Sequence, residues 1–349
     1  MEGIPAGALA ALIGLAGGII LGLASRIGDF CTLGALESAV YGQDQRRLRM
    51  WGIAIGVAIL AVFALEAARV LDLNQTAYHR TVWNPLASII GGLVFGYGMA
   101  LAGNCGFGAL ARFGGGDVRS LIVVVVMGIS AYAAMSGPLS GLRIAVFPEV
   151  PAAPGPHGYA HLLGGLLHLP PFTVAALVAS GLIAWAVAHD GLRAAPARMV
   201  WATVVGLTIA SAFWGTSWVS HHSFGETGVE GYTFSAPLGR SLLWLMTSSA
   251  GGLSFSVGSV GGVLVGAFLG SVLRGRFRWE ACEDPRELGR QAGGAVLMGI
   301  GGVVAMGCSV GQGLSAFSTL AYSAPVTLAA IVAGGLFGLR QMIAGFEAE

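Results

Sequence analysis

The chain contains no lysine: all 18 basic side chains among its 349 residues are arginine. Schiff-base and phosphate-loop lysine chemistry are thereby excluded. Charge of either sign is scarce, at 10% of residues against roughly 25% in soluble domains, while 55% are hydrophobic and the mean hydropathy is +0.77. So few charges cannot solvate a globular surface, which removes secreted enzymes, DNA-binding modules and disordered scaffolds together. A net charge of +1 leaves no basic patch for nucleic acid. Cysteine is limited to Cys31, Cys105, Cys282 and Cys308, too few and too scattered for a disulfide framework. There is no CxxC pair and no His-rich metal box, so no cofactor or metal is expected. No basic segment or cleavage site precedes the apolar stretch that starts near Ala6, and the first helix is expected to stay in the mature protein.

What is abundant is glycine, 57 residues, placed inside apolar runs where small side chains let membrane helices approach closely. A window of about 19 residues predicts an all-α integral membrane protein with nine spans, near 8–25, 50–71, 86–104, 119–136, 172–189, 198–214, 255–273, 292–307 and 325–343. Apolar segments too short to cross lie at 31–41, 105–113, 139–147, 236–250 and 309–322 and read as re-entrant or interfacial half-helices. The chain reads as a single polytopic domain of two related halves, about 1–150 and 172–349, joined by a Pro/His-rich loop at 148–171. Arginine placement sets the orientation. Loops 43–49 and 274–290 hold three and five arginines and are expected in the cytoplasm, whereas 148–171 holds none and is expected outside, with a short amphipathic turn around Tyr159 to His168. Its His157, His161 and His168 lack interleaved acidic or thiolate ligands and read as a solvated interfacial face rather than a metal site.

An internal repeat is the strongest feature. Gly17, Gly22, Ala24, Cys31 and Gly34 superpose without a gap on Gly91, Gly96, Gly98, Cys105 and Gly108, and on Gly294, Gly299, Gly301, Cys308 and Gly311. The pattern G-x4-G-x-[GA]-x6-C-x2-G puts each thiol at the break between a full helix and a half-helix. A cysteine-free echo begins at Gly261 and Gly266, and Cys282 fits no copy. Half-helix N-termini present free N–H groups and partial positive charge, which favour anions, and secondary transporters use such breaks near the bilayer midplane. A single cysteine in a membrane helix reads as a small hydrophobe; three in a repeat read as successive stations on one path.

These segments, Arg26-Ile-Gly-Asp-Phe-Cys31-Thr-Leu-Gly34, Gly103-Asn-Cys105-Gly-Phe-Gly108 and Gly307-Cys308-Ser-Val-Gly311, resemble the YeeE/YedE family of bacterial inner-membrane proteins. The resemblance covers essentially the whole chain. It implies an all-helical bundle with inverted internal repeats and uptake of thiosulfate. It also implies that Cys31, Cys105 and Cys308 hand the anion on by transient S–H hydrogen bonds, with a cytoplasmic TusA-type sulfur-carrier protein as a partner. The chemistry agrees: an anion in a narrow apolar path needs donors, and weak ones in series conduct better than one tight site. The thiols are expected to be neutral, since a thiolate would repel a dianion.

Gly34, Gly108 and Gly311 are expected to support this path, with Asn104 and Gln312 as further donors. Arg26 reads equally as an anion attractor and as a partner of Asp29, and Arg112 as a pathway mouth or as a loop charge beside Asp117 and Arg119. Glu66 and Arg69 read as an i,i+3 pair, and His221, His222, Glu226 and Glu230 as an external loop with weak metal spacing. Other readings of the path remain: another sulfur or selenium compound, a Cu(I) path, or a membrane sulfur-transferase with one nucleophilic cysteine. No histidine neighbours the repeat cysteines in sequence, and no MxxxM array accompanies them.

Overall fold

The computed structural model describes residues 5–152, 158–223, 225–249, 251–281 and 284–347. Among these the first third of the chain forms α1 (Ala6–Ile27), α2 (Thr32–Val40), α3 (Arg46–Ala67), α4 (Ala77–Arg80), α5 (Pro85–Ala102) and α6 (Gly106–Gly114). There follow α7 (Val118–Met135), α8 (Ser140–Val146), α9 (Tyr159–Leu167), α10 (Pro171–Val187), α11 (Asp190–Arg193) and α12 (Pro196–His222). The last third holds α13 (Ala236–Thr247), α14 (Phe255–Leu273), α15 (Pro285–Val304), a π-turn at Gly311–Ala316 and α16 (Ser323–Glu347).

Every expected span coincides with a helix, but the number able to cross a membrane differs from nine. Among the described residues seven spans are long and apolar enough, and the α9–α10 pair, bent by 115°, makes an eighth. The exception is α15, whose first turns carry Arg286, Glu287 and Arg290 behind an Asp284 N-cap. Large apolar side chains such as Leu12, Leu86, Leu177 and Phe337 remain exposed, as lipid contact requires of a multi-pass membrane protein.

Two of the expected half-helices continue a span instead of folding back: α1 and α2 form one broken span, Ala6–Val40, and α5 and α6 another, Pro85–Gly114. The segment expected at 139–147 does not enter the protein. Helix α8 has no buried residue, and Leu142, Ile144 and Val146 are exposed, so it lies on the surface.

Glycine explains the helix packing. On α1, Gly18 and Gly22 face Gly262 and Gly266 of α14, so closely that a Cβ on Gly18 would lie 3.0 Å from the Gly262 Cα, and Gly14 packs on the backbone of Phe255 and Ser259. Gly98 of α5 meets Gly294 of α15 in the same way, with 2.5 Å between a would-be Cβ and the Gly294 carbonyl oxygen. Without a hydrophobic drive between helices in lipid, such backbone contact supplies dispersion energy that larger side chains would forfeit. The repeat glycines therefore set how closely α5, α14, α15 and α16 approach one another and the broken helices.

Glu66 and Asp29 take partners other than those expected. His161 is not solvated: its Nε2 lies 3.1 Å from Glu66 and its ring packs near Phe63, so Glu66 pairs with α9 rather than with Arg69. Asp29 pairs with Arg47 at 3.9 Å rather than with Arg26. Arg119 bonds Asp117 at 3.2 Å and reaches Glu280 across the 115–118 turn. His168 is an exposed left-handed cap of α9, and His157 and Cys282 lie outside the described residues.

Candidate functional site

Cys31 and Cys105 are the N-cap residues of α2 and α6, and Cys308 immediately precedes the helical turn that carries the π-turn. Cys105 and Cys308 are 1% exposed and Cys31 is half-buried. The chain can break here because left-handed residues end the preceding helices. Gly103 has φ +71° after α5, while Met306 (φ 55°) and Gly307 (φ 156°) follow α15. Asp29, at φ 57°, turns the chain between α1 and α2.

At two of the breaks the sulfur receives the first free amides. Gly108 N–H donates to the Cys105 sulfur and Gly311 N–H to the Cys308 sulfur, each at 3.4 Å. Phe234 N–H also donates to Cys308, at 3.1 Å. With the sulfur accepting from the backbone, the S–H proton remains the group each thiol can offer. This is the work of two of the repeat's closing glycines. The third, Gly34, instead admits the Arg47 guanidinium, whose Nη1 lies 2.7 Å from where a Cβ would stand.

The breaks are joined by hydroxyls. Thr32 Oγ1 lies 3.9 Å from the Cys105 sulfur and donates to Ser309 Oγ at 3.0 Å, so the starts of α2, α6 and the segment after Cys308 meet at one point. Thr233 Oγ1 stands 3.7 Å from the Cys308 sulfur. Aromatic rings close the sides: Phe30 stacks on Trp51 with centroids 4.9 Å apart, and Phe107 packs on Phe234 at 5.2 Å.

The Tyr232 to Ser235 strap was not foreseen. His221 and His222 form the last turn of α12 rather than part of a loop; they and Glu226 are exposed, but Val229, Tyr232, Phe234 and Ser235 are buried without helical structure. Non-helical backbone inside a bundle needs side-chain partners. Ser315 Oγ donates to the Tyr232 carbonyl at 2.7 Å, Thr216 Oγ1 exchanges bonds with Glu230, and the Tyr232 hydroxyl donates to the Ile13 carbonyl at 3.2 Å. Glu230 pairs with Arg240 at 3.6 Å, and no group of three His, Cys, Asp or Glu suited to a metal ion occurs among the described residues.

The remaining expected site residues divide. Asn104 is 2% exposed and its carbonyl oxygen has no hydrogen-bond partner among the described residues. Gln312 is fully buried, but its amide donates to the Ala305 and Met306 carbonyls at 2.9 and 3.2 Å, and its oxygen accepts from Ser323. Gln312 thus closes the end of α15 and has no donor left for a passing anion. Arg26 Nε donates to Ser271 at 2.7 Å and its guanidinium lies against Gly115, while Arg112 is exposed in the last turn of α6. Thr32, Ser309, Thr233 and the Phe234 amide were missed by sequence reasoning. Thr32 and Ser309 were signalled by standing next to repeat cysteines; the other two carried no signal.

Fold and site together define a multi-pass helical membrane protein whose broken helices bring thiols, hydroxyls and free amides to one place, the construction of a small-solute transporter. Residues 27–337 match the family described as Sulphur transport, and the chain belongs to that family. It is a transporter of sulfur compounds rather than an enzyme. The thiosulfate transporter TsuA of Spirochaeta thermophila is 26% identical over 318 residues, covering 89% of this chain and 92% of that protein. The thiosulfate transporter TsuA of Escherichia coli is 28% identical over 346 residues, covering 93% and 92%.

Proposed function

We propose that the protein takes up thiosulfate through the bacterial inner membrane, the anion passing Cys308, Cys105 and Cys31 by transient S–H hydrogen bonds. The observation that carries this reading is the Thr32 hydroxyl, set between the Cys105 sulfur and Ser309 and so linking all three helix breaks. Sulfur anions suit such a place. Thiols and hydroxyls donate weakly, helix N-termini supply positive potential without a fixed charge, and the aromatic walls exclude water. The known partners of the Cys105 and Cys308 sulfurs are amides and hydroxyls, which activate no nucleophile and ligate no metal.

In this reading loops 43–49 and 274–290 face the cytoplasm, the halves 1–150 and 172–349 each contribute helix breaks, and a TusA-type carrier receives the sulfur at the arginine-rich end. The names of the two relatives support thiosulfate as the substrate. The test is uptake of radiolabelled thiosulfate by cells that depend on this protein, with sulfate, selenite and Cu(I) as competitors. Thiosulfate uptake that is lost in the Cys31→Ala/Cys105→Ala/Cys308→Ala variant is expected. Full uptake by that variant at normal expression refutes the relay, and Cu(I)-dependent competition with protection of the thiols favours a metal path.

A further inference from the structure

The end of the path beyond Cys31 poses an electrostatic problem that the cysteines do not solve. Helices α2 and α6 begin at Cys31 and Cys105, so their C-termini point away from the thiols with partial negative charge. A dianion leaving in that direction meets a rising potential unless cations offset it.

Arginines flank that route, Arg47 beside the first turn of α2 and Arg112 in the last turn of α6. The Arg47 guanidinium lies on Gly34, one turn into α2: its Nη1 is 2.7 Å, and the Cys31 Cβ 3.7 Å, from the point where a Gly34 Cβ would be. Arg47 is half-buried, and among the described residues the one carboxylate it pairs with is Asp29, at a loose 3.9 Å. Arg112 ends α6, and its guanidinium has no hydrogen-bond or ion-pair partner among the described residues. Its charge acts on Cys31, on Glu37 and on Arg26, whose guanidinium rests against Gly115 just beyond it.

We propose that Arg47 and Arg112 form an anion-binding station immediately beyond Cys31, where a small divalent oxyanion displaces Asp29 from Arg47 and is held between the two guanidinium groups. The station rests on the reading of the cysteines as a path and extends it. Asp29 is the resting counter-ion, which keeps Arg47 in place when the station is empty. Exposed Glu37, within electrostatic reach of both arginines, is a second competitor that keeps the anion from being held too long.

The test uses the full-length protein in detergent, with site-resolved mass spectrometry of Cys31 alkylation. Sulfate is the probe because it carries the same charge without a reactive sulfur, and sodium chloride at matched ionic strength is the control. Sulfate is expected to slow Cys31 alkylation beyond the chloride control. The half-protecting concentration should rise about tenfold in Arg47→Gln and in Arg112→Gln, each losing a charge-assisted contact, with Arg47→Lys in between. Asp29→Asn should lower it about threefold, since the competitor loses its charge while asparagine tolerates the left-handed backbone at that position. A purely structural role for Arg47 predicts no gain from Asp29→Asn. Protection no better than chloride in the wild type overturns the station, as does an unchanged concentration in either Gln variant or in Asp29→Asn. Arginine-dependent sulfate protection in a protein that takes up no thiosulfate leaves the station standing and refutes the relay instead.

Discussion

The Thr32 hydroxyl donates to Ser309 at 3.0 Å, joining the first turn of α2 to the residue after Cys308. The two lie at opposite ends of the sequence, and Cys105, from the break between them, is within 3.9 Å of the same hydroxyl. Removing that oxygen at constant shape, with Thr32→Val, leaves Ser309 without its donor. The loss of one buried hydrogen bond, about 1 kcal/mol, is expected to lower the initial thiosulfate uptake rate about fivefold. Ser309→Ala should do the same, and the double variant should lose clearly less than the product of the singles, because both remove one contact. Fully multiplicative losses would show that the two hydroxyls act separately.

Asp44 ties the turn before α3. It accepts from the Arg46 amide and Nε at 2.9 Å, and those bonds hold its carboxyl at about 2 against an ordinary 3.8. A carboxylate held low in the folded state contributes stability that is complete above the unfolded value and fades as pH falls toward the folded one. The difference in unfolding temperature between wild type and Asp44→Asn should therefore stay constant from pH 8 to about pH 5 and shrink between about pH 4 and pH 2. A difference that grows on acidification would contradict the pairing. Thermal unfolding in detergent across this range measures it.

Much of the architecture was legible because a membrane imposes one rule, twenty or so apolar residues in a helix, and the nine windows read that rule directly. The start of α15 was misplaced for the same reason: hydropathy discounts a charged first turn, although Asp284 and Glu287 suit a helix N-terminus well. The three cysteine breaks were visible through the glycine repeat. Their connection was not, since Thr32 and Ser309 become neighbours only through the packing of α2 against the far end of the chain. Gln312 looked like a donor to the path, yet a buried amide satisfies the nearest orphan carbonyls first, those of Ala305 and Met306. The Tyr232 to Ser235 strap left no local trace, because its partners, Ser315, Ile13 and Cys308, are spread along the sequence.

The glycine contacts carry their own test. A methyl on Gly96 would press on α16, with the Gly335 amide 2.8 Å from the new Cβ, and backbone cannot rotate away as a side chain can. Gly96→Ala is expected to destabilise the protein by about 2 kcal/mol through forced separation of α5 and α16. Gly165→Ala on α9 meets nothing within 4 Å and should be neutral or slightly stabilising. Unfolding temperatures in detergent separate the two, and equal behaviour would mean that the glycines are not what sets the helix spacing.

Substitution of the cysteines by serine distinguishes the roles a thiol can play. Alanine at Cys105 or Cys308 removes the S–H donor and also leaves Gly108 N–H, or Gly311 and Phe234 N–H, without the sulfur they bond. Each single alanine variant is expected to lower thiosulfate uptake tenfold or more, since a buried unpaired donor costs roughly 1 to 3 kcal/mol in addition to the lost station. Serine restores a donor and an acceptor, but its oxygen is reached by a shorter bond and prefers contacts near 2.8 Å, well inside the 3.4 Å that Gly108 keeps to the sulfur. Cys105→Ser and Cys308→Ser should therefore retain more uptake than the alanine variants without matching the wild type. Cys282→Ala, outside the repeat, should leave uptake nearly intact. A nucleophilic sulfur predicts instead that serine and alanine are equally inactive and that mass spectrometry finds a covalent sulfur adduct on the wild-type cysteine after exposure to thiosulfate. Serine variants above alanine and no adduct would assign the thiols to hydrogen bonding, and the order of loss among Cys308, Cys105 and Cys31 would then show which station limits passage.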